Sequence, residues 1–448
     1  MTVPMTGSAD LLERELKVLS PATRIGFFPV VVDGGAGAWF TDRDGRRFLD
    51  FHSMACVVNT GHGHPRVVRA IQEQAGRLVH TNSAYASHEG LVLLAERLAD
   101  LAPGDAPRRV AFGLSGSDAN DGALKLARAA TGRPRVIAFR HAYHGNTYGA
   151  LSLSAVSLAM RRGFGPEVPG VHHVDFPDVY RMPGPADAVA DRCLAQLRDL
   201  LATSVPVEEV AAVFVEPIQG DAGIVVPPRR FLDGLAGLCR DNGILLVAEE
   251  VQTGAGRTGR WFASELFGLE PDILVAGKAL GSGMPVSAVI ADARLMASWS
   301  APGHVFSTAA NPVCAAAALA TLDVIDEEGL TANAAAMGER LRAGLAELAT
   351  RHPAIGDVRG AGLMYGLDLV TDPVTRRRSR RLAAAVSAAC FSRGLYVTFL
   401  RGSVLRLAPP LVIDAGEIDL ALDILDASLA DAARGRVPEA HISAVVGW

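Results

Sequence analysis

Between about residues 60 and 325, short apolar runs rich in Val, Ile, Ala and Phe recur at 109–112, 136–139, 210–215, 244–248, 273–276 and 286–290. Each is short and almost continuously apolar. Such a run reads as a strand covered on both faces, the usual setting of a parallel sheet. Between two of these runs, Phe231, Leu232, Leu235, Leu238 and Cys239 fall at helical spacing, and Gly243 stops the pattern. Strands alternating with helices predict an α/β domain of doubly wound type over residues 61–325, with a mostly parallel central sheet. From residue 326 the pattern changes. Long Ala/Leu helices are predicted over 330–349 and 381–393, with shorter strands over 363–370 and 395–399. These predict a smaller α+β domain over 326–448, completed by an N-terminal segment over 1–60.

Composition narrows the partners. A net charge of −5 offers nothing to attract nucleic acid or an anionic membrane. No apolar stretch is long enough to span a bilayer, and the first ten residues lack the basic stretch and apolar run of a signal peptide. The five cysteines (Cys56, Cys193, Cys239, Cys314 and Cys390) are scattered, which suits a reducing compartment. The expectation is a cytoplasmic protein with no membrane or nucleic-acid partner. The Arg-rich run 376–381 is expected to be a solvated surface segment.

Only three lysines occur: Lys17, Lys125 and Lys278. Lys17 and Lys125 fall in amphipathic helical patterns, where a solvated role is the simpler one. Lys278 directly follows the predicted strand 273–276, among Gly277, Gly281 and Gly283. A lysine at the carboxyl end of a buried strand reaches the crevice where α/β sheets bind ligands, and an amine desolvated there suits imine chemistry. The run Leu114-Ser115-Gly116-Ser117-Asp118 follows a strand and opens a helix. Gly116 and Ser117 would aim backbone N–H groups at a phosphate from the helix N-terminus, although Ser and Asp also serve as ordinary caps.

The run 244–248 ends on Glu249-Glu250-Val251-Gln252. Side chains alternate along a strand, so only one of the two acids faces the crevice, where it would hold a heterocyclic nitrogen protonated. In His141-Ala142-Tyr143-His144-Gly145, Tyr143 would stack on a flat ring. The pairs His141/His144 and His62/His64 lack a third ligand at metal spacing, so no metal is expected.

The order Ser-Gly-Ser before a helix, His-Ala-Tyr-His-Gly, Glu-Glu-Val-Gln-Thr-Gly and then Lys278 resembles the class III aminotransferases. These are enzymes of fold type I that use pyridoxal 5'-phosphate (PLP). Further matching segments are Gly61-His62-Gly63-His64-Pro65, Glu216-Pro217-Ile218-Gln219-Gly220, Asn311-Pro312 and the stretch from Leu405 to Pro410. The resemblance implies that Lys278 forms the Schiff base and shuttles the proton. It implies that Gly116 and Ser117 bind the phosphate, that Tyr143 and Val251 cover the two faces of the ring, and that Gln252 meets its phenolic oxygen. It also implies a homodimer with active sites at the interface, in which Ser307 or Thr308 reaches the partner's phosphate. Arg406 would bind a substrate carboxylate or pair with Asp221, and Phe28, Met54, Ala55 and Tyr85 would wall the substrate pocket.

Two departures stand out. The family normally has Asp where this chain has Glu249, and often Glu where it has Asp221. Two reactions use this equipment. In aminotransfer, Lys278 moves the α-proton onto the cofactor; in racemisation, the proton returns to the opposite face of the same carbon. Segments 115–120 and 177–181 and the Gly-Trp at 447–448 resemble α-amino-ε-caprolactam racemase, whereas Arg406 and Gln252 read as the aminotransferase version. Aminotransfer is the expectation, with racemisation as the alternative.

Overall fold

The computed structural model describes residues 7–445, so the Gly-Trp at 447–448 lies outside the described residues. The chain divides into two compact units. One gathers the N-terminal segment to Cys56, Thr60–His64 and the chain from Asn333 onward; the other comprises Val57–Asn59 and Pro65–Ala332.

The second unit is built on seven strands: β1 (Arg108–Gly113), β2 (Arg135–Phe139), β3 (Val171–Val174), β4 (Val210–Val215), β5 (Leu245–Glu249), β6 (Ile273–Ala276) and β7 (Ser287–Asp292). Their order in the sheet is β1-β7-β6-β5-β4-β2-β3. β2 to β6 pair in parallel, and β7 runs antiparallel to both β6 and β1. Every residue of β4 is buried, as its uninterrupted apolar run requires. The helix Arg229–Asp241 buries Phe231, Leu232, Leu235, Leu238 and Cys239, the face its spacing predicts. Sequence reading missed β3, whose segment Val171-His172-His173-Val174 is only partly buried at the sheet edge. The reversed direction of β7 leaves no mark on its composition, because it is covered on both faces like its parallel neighbours.

In the first unit, the strands Val32–Ala36, Trp39–Asp42 and Arg47–Asp50 form an antiparallel ribbon, joined in parallel by Leu395–Tyr396. A second sheet orders Ile355–Ala361, Met364–Asp372, Val404–Leu407 and Thr398–Leu400. The strand predicted over 395–399 is therefore two short strands in different sheets. The Arg-rich run lies mostly exposed at the surface, as expected, with Arg377–Arg378 pairing with Met364–Asp372 and a helix starting at Arg380. Ser53, Met54, Ala55 and Cys56 all have positive φ, between 47° and 65°. They form one left-handed turn of L-residues, a conformation that costs about 1–2 kcal/mol per residue.

Candidate functional site

In the second unit, the segments that follow β1, β2, β4, β5 and β6 converge on one pocket of about 200 Å³. Gly116, Ser117, Tyr143, Asp221, Glu249, Val251, Gln252 and Lys278 all line it. These come from separated stretches of chain, brought together because parallel strands present their carboxyl ends at one edge. Ser307 and Thr308 are exposed in this single chain, and Tyr85 is 89% exposed. Met54 and Arg406 belong to the other unit.

At one end of the pocket, the helix Gly116–Thr131 begins with a capping box. Asp118 N–H donates to Ser115 Oγ (3.4 Å), and Ser115 N–H donates to the Asp118 carboxylate (3.1 Å). Asp118 also accepts from Leu114 N–H (2.8 Å) and from Ser287 Oγ on β7 (2.9 Å). Ser115 and Asp118 are thus the caps, and Gly116 and Ser117 face the pocket. At Gly116 a Cβ would stand 2.8 Å from Val251 Cγ1, so only glycine lets this backbone approach. Asn120 Nδ2 bridges to Gly116 O (3.0 Å) and His144 O (2.8 Å), tying the helix start to the loop after β2. Ser117 Oγ accepts from Asn146 N–H (3.1 Å). Gly145 lies so close that a Cβ would fall 2.2 Å from that oxygen, and its φ is +133°.

The paired acids separate as strand alternation requires. Glu250 turns into the protein and accepts from Ser264 N–H (2.7 Å), Ser264 Oγ (2.7 Å), Ala263 N–H (2.9 Å) and Thr253 Oγ1. Glu249 faces the pocket. Its Oε1 turns back to accept Val251 N–H (2.7 Å) and its Oε2 meets His144 Nδ1 (3.2 Å). Glu216, beyond the end of β4, is a third buried acid; it accepts Tyr143 N–H (3.0 Å) and Gly220 N–H (2.8 Å). Burial, and next the neighbouring Glu249, push the Glu216 carboxyl well above its ordinary range. His144, Glu216 and Glu249 each bring a nitrogen or oxygen atom within 4.8 Å of the others. Spacing from the other histidines could not reveal this cluster, since its members lie on three different strand ends. Its acids are engaged with backbone N–H groups: Glu216 with those of Tyr143 and Gly220, Glu249 with that of Val251.

Lys278 follows β6 directly and is half-buried with φ +45°. A non-glycine residue held left-handed carries strain, which often marks a functional position. Val251 sits against the backbone beside it: a Cβ on Gly277 would lie 3.4 Å from Val251 Cγ1 and 3.5 Å from Gly116 N. Tyr143 is raised to about 12 by burial, then by the charges of Asp221 and Glu249. Asp221 is therefore electrostatically tied to Tyr143, whereas Val251 packs toward Gly277. Gln252 leans on Gly220, where a Cβ would lie 1.8 Å from its Oε1. N–H groups at a helix start, an aromatic ring, a branched aliphatic, a buried carboxylate and a lysine make a donor set that suits a flat, phosphorylated aromatic aldehyde.

The family described as Aminotransferase class-III matches residues 22–429. The chain is 42% identical to isoleucine 2-epimerase of Lentilactobacillus buchneri, over 98% of this chain and 99% of that one. It is 38% identical to a probable 4-aminobutyrate aminotransferase of Bacillus subtilis, over 88% and 92%. It is similar in structure to an amine transaminase from an uncultivated Pseudomonas species in its PLP-bound form, with TM-score 0.86, 31% identity, and coverage of 96% and 98%.

Proposed function

The chain belongs to the class III aminotransferase family and is a PLP-dependent enzyme, and we propose that it transfers an amino group between a small amine or amino acid and a keto acid. The observation that carries this reading is Lys278, held left-handed at a strand end in the same pocket as Gly116, Ser117 and Glu249. When bound, PLP supplies an aldehyde that condenses with amines and a ring that withdraws electrons from the amine-bearing carbon.

The residues divide the work. Backbone N–H groups of Gly116 and Ser117 hold the phosphate at the helix N-terminus. Tyr143 covers one ring face and Val251 the other, and Gln252 donates to the phenolic oxygen. Glu249, oriented by His144 and Val251 N–H, presents its carboxylate to the ring nitrogen. Lys278 Nζ would hold the cofactor through its aldehyde and move the proton at the reacting carbon. Arg406 takes the substrate's carboxylate, and Met54 and Tyr85 wall its side chain; these assignments rest on the family resemblance. The enzyme works as a homodimer in which Ser307 or Thr308 of one copy reaches the phosphate of the other. Exposure of both hydroxyls and of Tyr85 in the single chain supports this. Five cysteines, all unpaired and buried, suit a cytoplasmic home. Among the described residues no helix is long and apolar enough to cross a membrane.

Epimerisation at the α-carbon is the second reading, favoured by Asp221. That carboxylate lines the same pocket as Lys278, Tyr143 and Val251, so the reacting carbon would meet a second polar group there besides the lysine. The identity to isoleucine 2-epimerase points the same way. One experiment separates the readings. The purified holoenzyme is given L-isoleucine in D2O, with and without 2-oxoglutarate. Aminotransfer yields the keto acid of isoleucine only when the acceptor is present. Epimerisation yields α-deuterated D-allo-isoleucine without any acceptor. Borohydride reduction followed by peptide mapping should find the cofactor on Lys278; a modified peptide elsewhere would refute both readings.

A further inference from the structure

Arg406, in the strand Val404–Leu407, is 6% exposed. Its Nη2 lies 2.6 Å from Nε2 of His52, the residue that enters the left-handed turn of Ser53–Cys56. Guanidinium nitrogens only donate, so His52 must present the lone pair of Nε2. The ring is held on its other sides. Its backbone N–H donates to Asp50 Oδ1 (2.9 Å) and its ring meets that of Tyr396 with centroids 5.8 Å apart, while Ala55 N–H (3.1 Å) competes for a lone pair on Nδ1. A neutral imidazole has one lone pair in the ring plane, so the contacts from Arg406 and Ala55 cannot both be made at once. The shorter, charge-assisted one to Arg406 selects the tautomer with Nδ1–H. Asp50 and the Tyr396 ring thus hold a histidine acceptor against a buried arginine.

We propose that His52 is the positioning residue for Arg406: its Nε2 lone pair fixes the guanidinium plane and thereby sets the affinity for a substrate carboxylate. A guanidinium has five N–H donors, so a contact of one of them with His52 does not by itself exclude a carboxylate. The inference rests on the carboxylate role given to Arg406 above. Protonation of His52 removes the lone pair and sets two cations side by side, so carboxylate affinity falls as pH drops through the titration of the ring. Asp50 is paired with His62 Nε2 (2.8 Å), and the Tyr396 phenol is pushed up to about 12 by burial and then by Asp50.

The test uses holoenzyme and 4-methylpentanoate, a carboxylate with no amine to react, followed by calorimetry between about pH 5.5 and 8. At the upper end His52→Leu should bind roughly tenfold more weakly than wild type, the loss expected for one hydrogen bond to a charged group. His52→Gln, which keeps an acceptor that does not titrate, should bind within about threefold of wild type at that pH. Wild-type affinity should fall toward low pH and that of His52→Gln should not. Equal binding by His52→Leu and wild type, equal loss in the Leu and Gln variants, or the same pH slope in His52→Gln and wild type would each overturn the proposal. Because the wild-type pH slope is read against His52→Gln, a Leu variant that fails to fold leaves the outcome decided. Undiminished binding by Arg406→Leu would instead remove the carboxylate role of Arg406, a separate failure.

Discussion

Replacing Asp118 by Ala tests how the phosphate end of the pocket is held in shape. The side chain is buried, and its carboxylate accepts from Leu114 N–H (2.8 Å), Ser115 N–H (3.1 Å) and Ser287 Oγ (2.9 Å). Alanine leaves three donors at the start of the helix Gly116–Thr131 without their acceptor. A hydrogen bond to a charged group contributes about 1.5–3 kcal/mol, and shared partners do not add, so a loss of about 3–5 kcal/mol is expected. For a domain of this size that corresponds to a Tm lower by about 5–10 °C in the apoenzyme. Gly116 and Ser117 are the next two residues of the same turn, so PLP affinity should fall at least about tenfold, a change of 1.4 kcal/mol. Apoenzyme melting by circular dichroism reads the first effect, and a fluorescence titration with PLP reads the second. Asp118→Asn keeps one acceptor oxygen and should fall between. A lowered Tm with wild-type PLP affinity would refute the claim that Asp118 sets the cradle; an unchanged Tm would refute the energetic reasoning itself.

Two further outcomes follow from burial. Burial is the largest cause raising the Glu250 carboxyl above its ordinary value, outweighing its hydrogen bonds. A folded pKa above the unfolded one gives stability that is complete at low pH and is lost as pH rises through the folded pKa. Glu250→Gln should therefore be destabilised relative to wild type in acid, and the gap should narrow toward alkaline pH; a pH-independent gap in urea midpoints would contradict this. Burial also pushes the Cys239 and Cys390 thiols up to about 12 and Cys193 to about 11. These three should resist iodoacetamide in the native protein near pH 8 and react once it is denatured. Alkylation of any of them in the native state, found by peptide mass analysis, would refute their burial.

Element positions in the second unit were legible because the strands are fully buried and their apolar runs end where polar crevice residues begin. The helix face of Phe231 and Leu235 was equally plain. The mostly parallel pairing was legible, but the reversed direction of β7 was not. β7 has the same composition as its parallel neighbours, and direction is fixed by where the connecting chain lets it pair. The edge strand Val171–Val174 escaped because partial burial asks for little apolar character. In the site, Gly116, Ser117, Tyr143 and Lys278 each stood within four residues of a strand end, where local order signals chemistry.

Which residue types stand at the strand ends could be read along the chain, because periodicity and burial are properties of a few consecutive positions. Three-dimensional packing was needed to show which of the two adjacent acids faces the pocket, and that Glu216 and His144 stand beside Glu249. It likewise decided that His52 rests on Arg406 across 354 positions of chain. Such contacts depend on how distant segments pack, and neighbouring residues in the sequence carry no trace of that distance.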